Sequence, residues 1–172
     1  MLRKGAMGLR SELAKWLEGA KGIAVLGIGN PIRRDDAIGV EVVKALEGKV
    51  PGRVLLLNCE TIPESFAWKV AEFRPTHILL VDAADFLGDP GEARLFSAGE
   101  TVGASISTHS LPLKVLSKYL EMETGARVAV LAIQPKDLGL GEGLSNELRA
   151  SLGRLIEILS DALSGSGSMQ FE

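Results

Sequence analysis

Two adjacent carboxylates, Asp35 and Asp36, follow the turn Gly27-Ile28-Gly29-Asn30-Pro31 and stand just ahead of a stretch with helical apolar spacing. One aspartate there can cap the free N–H groups of a helix and complement its dipole. A second beside it repels the first, so the pair holds one carboxylate more than a cap uses. Asp82 ends the apolar run Ile78-Leu79-Leu80-Val81 and is either the polar residue that stops a strand or a group presented to a crevice. His109 lies in the polar stretch Ser107-Thr108-His109-Ser110 before another helical pattern, open to a cap-adjacent role or a ligand role. Asp36, Asp82 and His109 together offer two carboxylate oxygens and one imidazole nitrogen. That set suits a divalent transition ion such as nickel or zinc and leaves positions for substrate or water.

Other chemistries find no footing. A dinucleotide fingerprint wants a third glycine where this chain has Ile32, and the next glycine comes only at Gly39. The serine in Gly165-Ser166-Gly167 does not form a nucleophile elbow. Cys59, the single cysteine, excludes an internal disulfide and reads as a small apolar strand residue with no adjacent base. His77, after Pro75, reads as a surface or strand-start residue, and Asp85 and Asp89 as solvated or turn residues.

The elements that must position these groups follow from periodicity. Leu9, Leu13, Trp16 and Leu17 predict a helix over 8–19, and the unbroken run Ile23 to Ile28 predicts a strand buried on both faces, the mark of a parallel sheet. Ile38, Val42, Val43 and Leu46 predict a second helix, Val54 to Leu57 a second strand, and Phe66 to Phe73 a helix leading to the strand that ends at Asp82. Ala93 to Phe96 is a weaker strand that comes too soon for a crossover helix, so it is expected antiparallel to the third strand or otherwise at an edge. Leu113, Leu116 and Leu120 mark a helix, Val128 to Ile133 a fifth strand, and Leu148 through Leu159 the final helix.

The fold expected is α/β, a three-layer α/β/α sandwich around a mostly parallel sheet of about five strands, with ligands bound outside the strands' carboxyl ends. If the fourth strand runs downward, the chain from Phe96 to His109, at ~3.3 Å per residue, is long enough to climb back up a sheet roughly 20 Å tall. Residues 1–163 are expected to form one domain and the Gly/Ser-rich 164–172 a flexible tail. With 19 Lys plus Arg against 22 Asp plus Glu, a net charge of −3, nucleic acid is a disfavoured partner. No apolar run reaches the ~18 residues of a membrane span, so a cytoplasmic protein is expected.

Four segments in order carry a resemblance: Gly27 through Gly39 with its Asp35-Asp36 pair, the apolar run closed by Asp82, Ser107-Thr108-His109, and Ile133-Gln134-Pro135. Across roughly residues 22–160 the chain resembles the nickel-iron hydrogenase maturation endopeptidases. These trim the C-terminal extension from a hydrogenase large-subunit precursor once nickel is inserted. The resemblance implies that Asp36, Asp82 and His109 contact the nickel of the precursor. Beyond recognition two mechanisms stand open: water attacks the docked peptide with Asp36 or Asp35 as general base and the metal polarising nearby groups, or the metal only positions the bond. Gly29, Asn30 and Gln134 are read as substrate-binding residues. Nickel is then carried by the substrate, no cofactor is permanently bound, and zinc or cadmium can substitute.

Two positions depart from the family pattern. Ala37 stands where glycine is usual after the acidic pair, and a requirement for positive φ there would cost about 1 kcal/mol and reshape the loop. Ala132 replaces the usual glycine before Ile133-Gln134-Pro135. Aspartate rather than glutamate at position 36 leans toward the hydrogen-evolving, formate-hydrogenlyase-like branch. Two alternatives are a non-catalytic nickel-binding chaperone that grips the precursor and peptidyl-tRNA hydrolase, whose opening motif resembles Gly-Ile-Gly-Asn-Pro. The catalytic residues expected of the latter do not follow in this chain.

Overall fold

The unbroken apolar runs become the centre of a five-stranded sheet in the order β2-β1-β3-β5-β4. The computed structural model describes residues 6–97, 100 and 112–165. Strands β1 (Ile23–Ile28), β3 (His77–Ala83) and β5 (Arg127–Ile133) are buried almost throughout. They are parallel to one another and to the edge strand β2 (Val54–Glu60). β4 (Ala93–Ser97) closes the other edge and runs antiparallel to β5, with Ala93 opposite Ile133 and Ser97 opposite Ala129.

Alternate residues of each inner strand go to opposite faces, which is why runs without polar gaps are needed. Ile23, Val25, Leu79, Val81, Leu131 and Ile133 pack with α1 (Ala6–Trp16), α2 (Ile38–Leu46) and α5 (Asn146–Gly165). Ala24, Leu26, Ile78, Leu80, Val128 and Val130 pack with α3 (Ala67–Phe73) and α4 (Leu113–Thr124). From β1 the chain passes through α2 to β2 on one side, then through α3 to β3 on the other side of β1. The order therefore reverses between β1 and β3, and in such sheets the crevice at the carboxyl ends of those strands receives ligands.

Of the two placements expected for the fourth strand, the edge holds, with the fifth strand as its partner. Other expectations are corrected. Strand β2 continues past Leu57 to Glu60, and the segment before α3 begins as a 3-10 turn at Pro63–Phe66. His77 starts a strand but is not on the surface: it is 3% exposed, with its ring edge-on to Trp16 at 5.0 Å between centroids. Helix α5 runs to Gly165, two residues into the segment expected to be a tail, and the remainder of that segment lies outside the described residues. Among the described residues no helix is long and apolar enough to cross a membrane.

Candidate active site

The site begins with close backbone packing at the reversal point. A side chain at Gly39 would overlap the carbonyl oxygens of Val81 and Ile28, so its absence lets the first turn of α2 sit directly on the ends of β1 and β3. Gly29 has φ +147°, and a side chain there would overlap the Asp36 carbonyl oxygen. The 3-10 turn Arg34–Ala37 is thereby pressed onto the end of β1, and Asp36 is fully buried. Its Oδ2 accepts the Asn30 N–H at 2.9 Å. The Asn30 side chain shapes the same turn, its Oδ1 accepting the Ile32 N–H at 3.1 Å. Ala37 has φ −77° and ψ −3°, an ordinary helical conformation, so alanine in place of the family's glycine introduces no backbone strain.

Asp35 has a different task from its neighbour. Neither the 3-10 turn nor α2 receives a side-chain cap, which corrects the expectation that one aspartate of the pair caps the helix. The Asp35 carboxylate instead staples the loop after β5. Its Oδ2 accepts the N–H groups of Lys136 and Asp137 and the Ser145 hydroxyl, each at 2.9 Å, and its Oδ1 accepts the Ser145 N–H at 2.7 Å. Four donors on one carboxylate compensate its burial. Ser145 had no signal in the sequence as a partner, being 110 positions away.

Asp82 lies on β3 opposite Ala132 of β5 and is 1% exposed. Strand alternation sends it to the face of Ile78 and Leu80, the face that α3 and α4 cover. Because α4 leads through a short turn into the start of β5, its first residues stand at the carboxyl end of the sheet. His109 lies outside the described residues, as do Ser107 and Thr108. Among the described residues there is no cluster of three or more His, Cys, Asp or Glu side chains arranged to hold a metal ion.

Gln134 organises the loop after β3. Its Oε1 accepts the N–H groups of Phe86 and Gly88 at 2.9 and 3.0 Å, and its Nε2 donates to Asp85 Oδ1 at 3.1 Å. Cys59 is 1% exposed, and burial together with the nearby Glu64 charge pushes its thiol up to about 12, so it stays protonated and is no nucleophile at neutral pH. On the outer rim Lys136 and Glu147 form a 2.6 Å ion pair that raises the lysine and lowers the glutamate.

A sheet whose order reverses between β1 and β3, with a buried carboxylate at that point, belongs to the α/β class that receives ligands at the carboxyl ends of its strands. The family model described as hydrogenase maturation protease, HycI, matches residues 40–162. The Hydrogenase 3 maturation protease of Escherichia coli K12 is 30% identical over 116 residues, covering 67% of this chain and 74% of the relative. The crystal structure of the nickel-iron hydrogenase maturation protease HycI from Thermococcus kodakarensis superposes with a TM-score of 0.81 at 37% identity, covering 88% of this chain and 98% of that one. The hydrogenase maturating endopeptidase HybD of Escherichia coli superposes with a TM-score of 0.71 at 28% identity, over 85% and 94% of the two chains.

The chain belongs to the hydrogenase maturation protease family and is a peptide hydrolase. That membership sets aside both peptidyl-tRNA hydrolase and a chaperone without catalytic activity.

Proposed function

We propose that the protein removes the C-terminal extension of a nickel-iron hydrogenase large-subunit precursor, in the cytoplasm, once nickel has been inserted. The observation that carries this reading is the burial of Asp36 and Asp82, 0% and 1% exposed, at the carboxyl ends of the sheet where its strand order reverses. Carboxylates placed so deep are costly unless donors or a cation meet their charge, and oxygen donors there suit an incoming divalent ion. The ion is the substrate's nickel, not a resident cofactor, and zinc or cadmium would be held by the same donors. His109, which lies outside the described residues, is the third donor that the family resemblance implies.

In the proposed reaction Asp36 takes a proton from a water that attacks the scissile carbonyl, and the proton passes to the leaving amine as the C–N bond breaks. One water is consumed and two chains result. Asp35, committed to four donors, serves as the residue that fixes the turn carrying Asp36. Gly29, Asn30 and Gln134 shape the walls against which the substrate lies. The test is Asp36→Asn: a folded variant that leaves nickel-loaded precursor uncut supports the role of Asp36, and normal cleavage removes it.

A further inference from the structure

We propose that the turn Asp85 to Gly88 is a rigid docking finger whose tip, Leu87, seats in an apolar socket on the folded body of the precursor. This rests on the proposed function and adds how the protease grips its substrate outside the crevice. Leu87 is 92% exposed and has φ +60°, a left-handed conformation that leucine disfavours and glycine or asparagine accepts. A leucine so placed buries nothing within the fold. Strained, solvent-facing apolar residues that the surroundings hold in place belong to binding sites more often than to scaffolds.

The surroundings do hold it. Gln134 Oε1 accepts from the N–H groups on both sides of Leu87, those of Phe86 and Gly88, and Asp85 Oδ1 accepts the Leu87 N–H at 3.0 Å. At the base of the finger the Phe86 ring lies 6.1 Å from that of Phe96, with the Arg94 guanidinium 4.6 Å over its face. The base is fastened and the tip is offered.

The finger follows the end of β3 at Ala83 and begins three residues past Asp82 in the chain, so it stands at the carboxyl end of the sheet. Ile32 and Leu140, 55% and 78% exposed, border that end from the loops after β1 and β5. A backbone bridge ties these loops together, with Gly141 N–H donating to Ile32 O at 2.9 Å and Arg34 N–H donating to Gly141 O at 3.0 Å. An extended tail threaded into the crevice would pass between these rims. Leu87, 92% exposed at this same end of the sheet, is left for the body from which the tail emerges, so the occupant is a folded protein surface with an apolar depression beside the cleavage segment.

The experiment compares wild type, Leu87→Gly and Met122→Ser on nickel-loaded precursor, measuring both cleavage and binding. Glycine adopts the same φ freely, so Leu87→Gly should melt no lower than wild type. It should raise KM and Kd roughly tenfold or more, with kcat at saturation retained. Met122, 79% exposed near the far end of α4, is the control and should change neither. Wild-type KM and Kd in Leu87→Gly would overturn the docking role. If wild type binds precursor without cutting it, the proteolytic reading falls separately, and the comparison of Kd values still decides the role of Leu87.

Discussion

Gly29 and Asp36 are in backbone contact: the glycine, at φ +147°, leaves no room for a Cβ against the Asp36 carbonyl oxygen. That contact places the Asn30 N–H on Asp36 Oδ2, so the position of the proposed base depends on a residue that has no side chain. Gly29→Ala combines an unfavourable φ with this overlap. It should lower stability by about 2–3 kcal/mol in chemical denaturation and cut activity even where the protein remains folded.

Asp35 and Asp36 should separate cleanly by substitution. In Asp35→Asn the amide group turns one acceptor into a donor facing N–H groups, which should cost about 3 kcal/mol, read as a lower urea midpoint. Asp36→Asn should lose cleavage with a much smaller shift in midpoint. Equal loss of stability in both variants would contradict the division of labour between stapling and chemistry.

His77 gives a pH dependence of known sign. Burial first, then the positive Arg127 on the neighbouring strand, lowers its pKa from the usual 6.5, while a hydrogen bond with the Trp16 backbone opposes the shift. The unfolded chain therefore binds a proton that the folded chain refuses. Stability from this group is complete above about pH 6.5 and is lost as pH falls toward the folded-state value. Melting curves from about pH 7.5 down to about 5.5 should show a steeper decline for wild type than for His77→Gln, and parallel curves would contradict it.

Cys59, buried and protonated, should resist a neutral thiol reagent in the folded protein and react once the chain is unfolded by denaturant. Cys59→Ala should retain cleavage activity at about 1–3 kcal/mol lower stability, because only the packing of a small apolar side chain is lost. Rapid labelling of native protein, or loss of catalysis in folded Cys59→Ala, would contradict this.

The central sheet was legible because burial on both faces leaves unbroken apolar runs, as in Ile23 to Ile28 and Ile78 to Val81. Strand β4 was only half legible: its residues are partly buried, and the choice of β5 over β3 as partner is made by tertiary packing that no local pattern encodes. The same limit applies to the polar residues. Asp35 and Asp36 are indistinguishable neighbours in sequence, and what separates them is a set of donors 101 to 110 positions away. Gln134 and His77 likewise owe their roles to distant contacts, with the loop at Phe86 to Gly88 in one case and the Trp16 ring in the other.

The most direct test incubates purified protein with its hydrogenase large-subunit precursor, nickel-loaded or nickel-free, and reads the intact mass of the product. The account predicts loss of a C-terminal peptide from the nickel-loaded precursor alone, and no loss with Asp36→Asn. Cleavage indifferent to nickel, or cleavage by the Asp36→Asn variant, would contradict it.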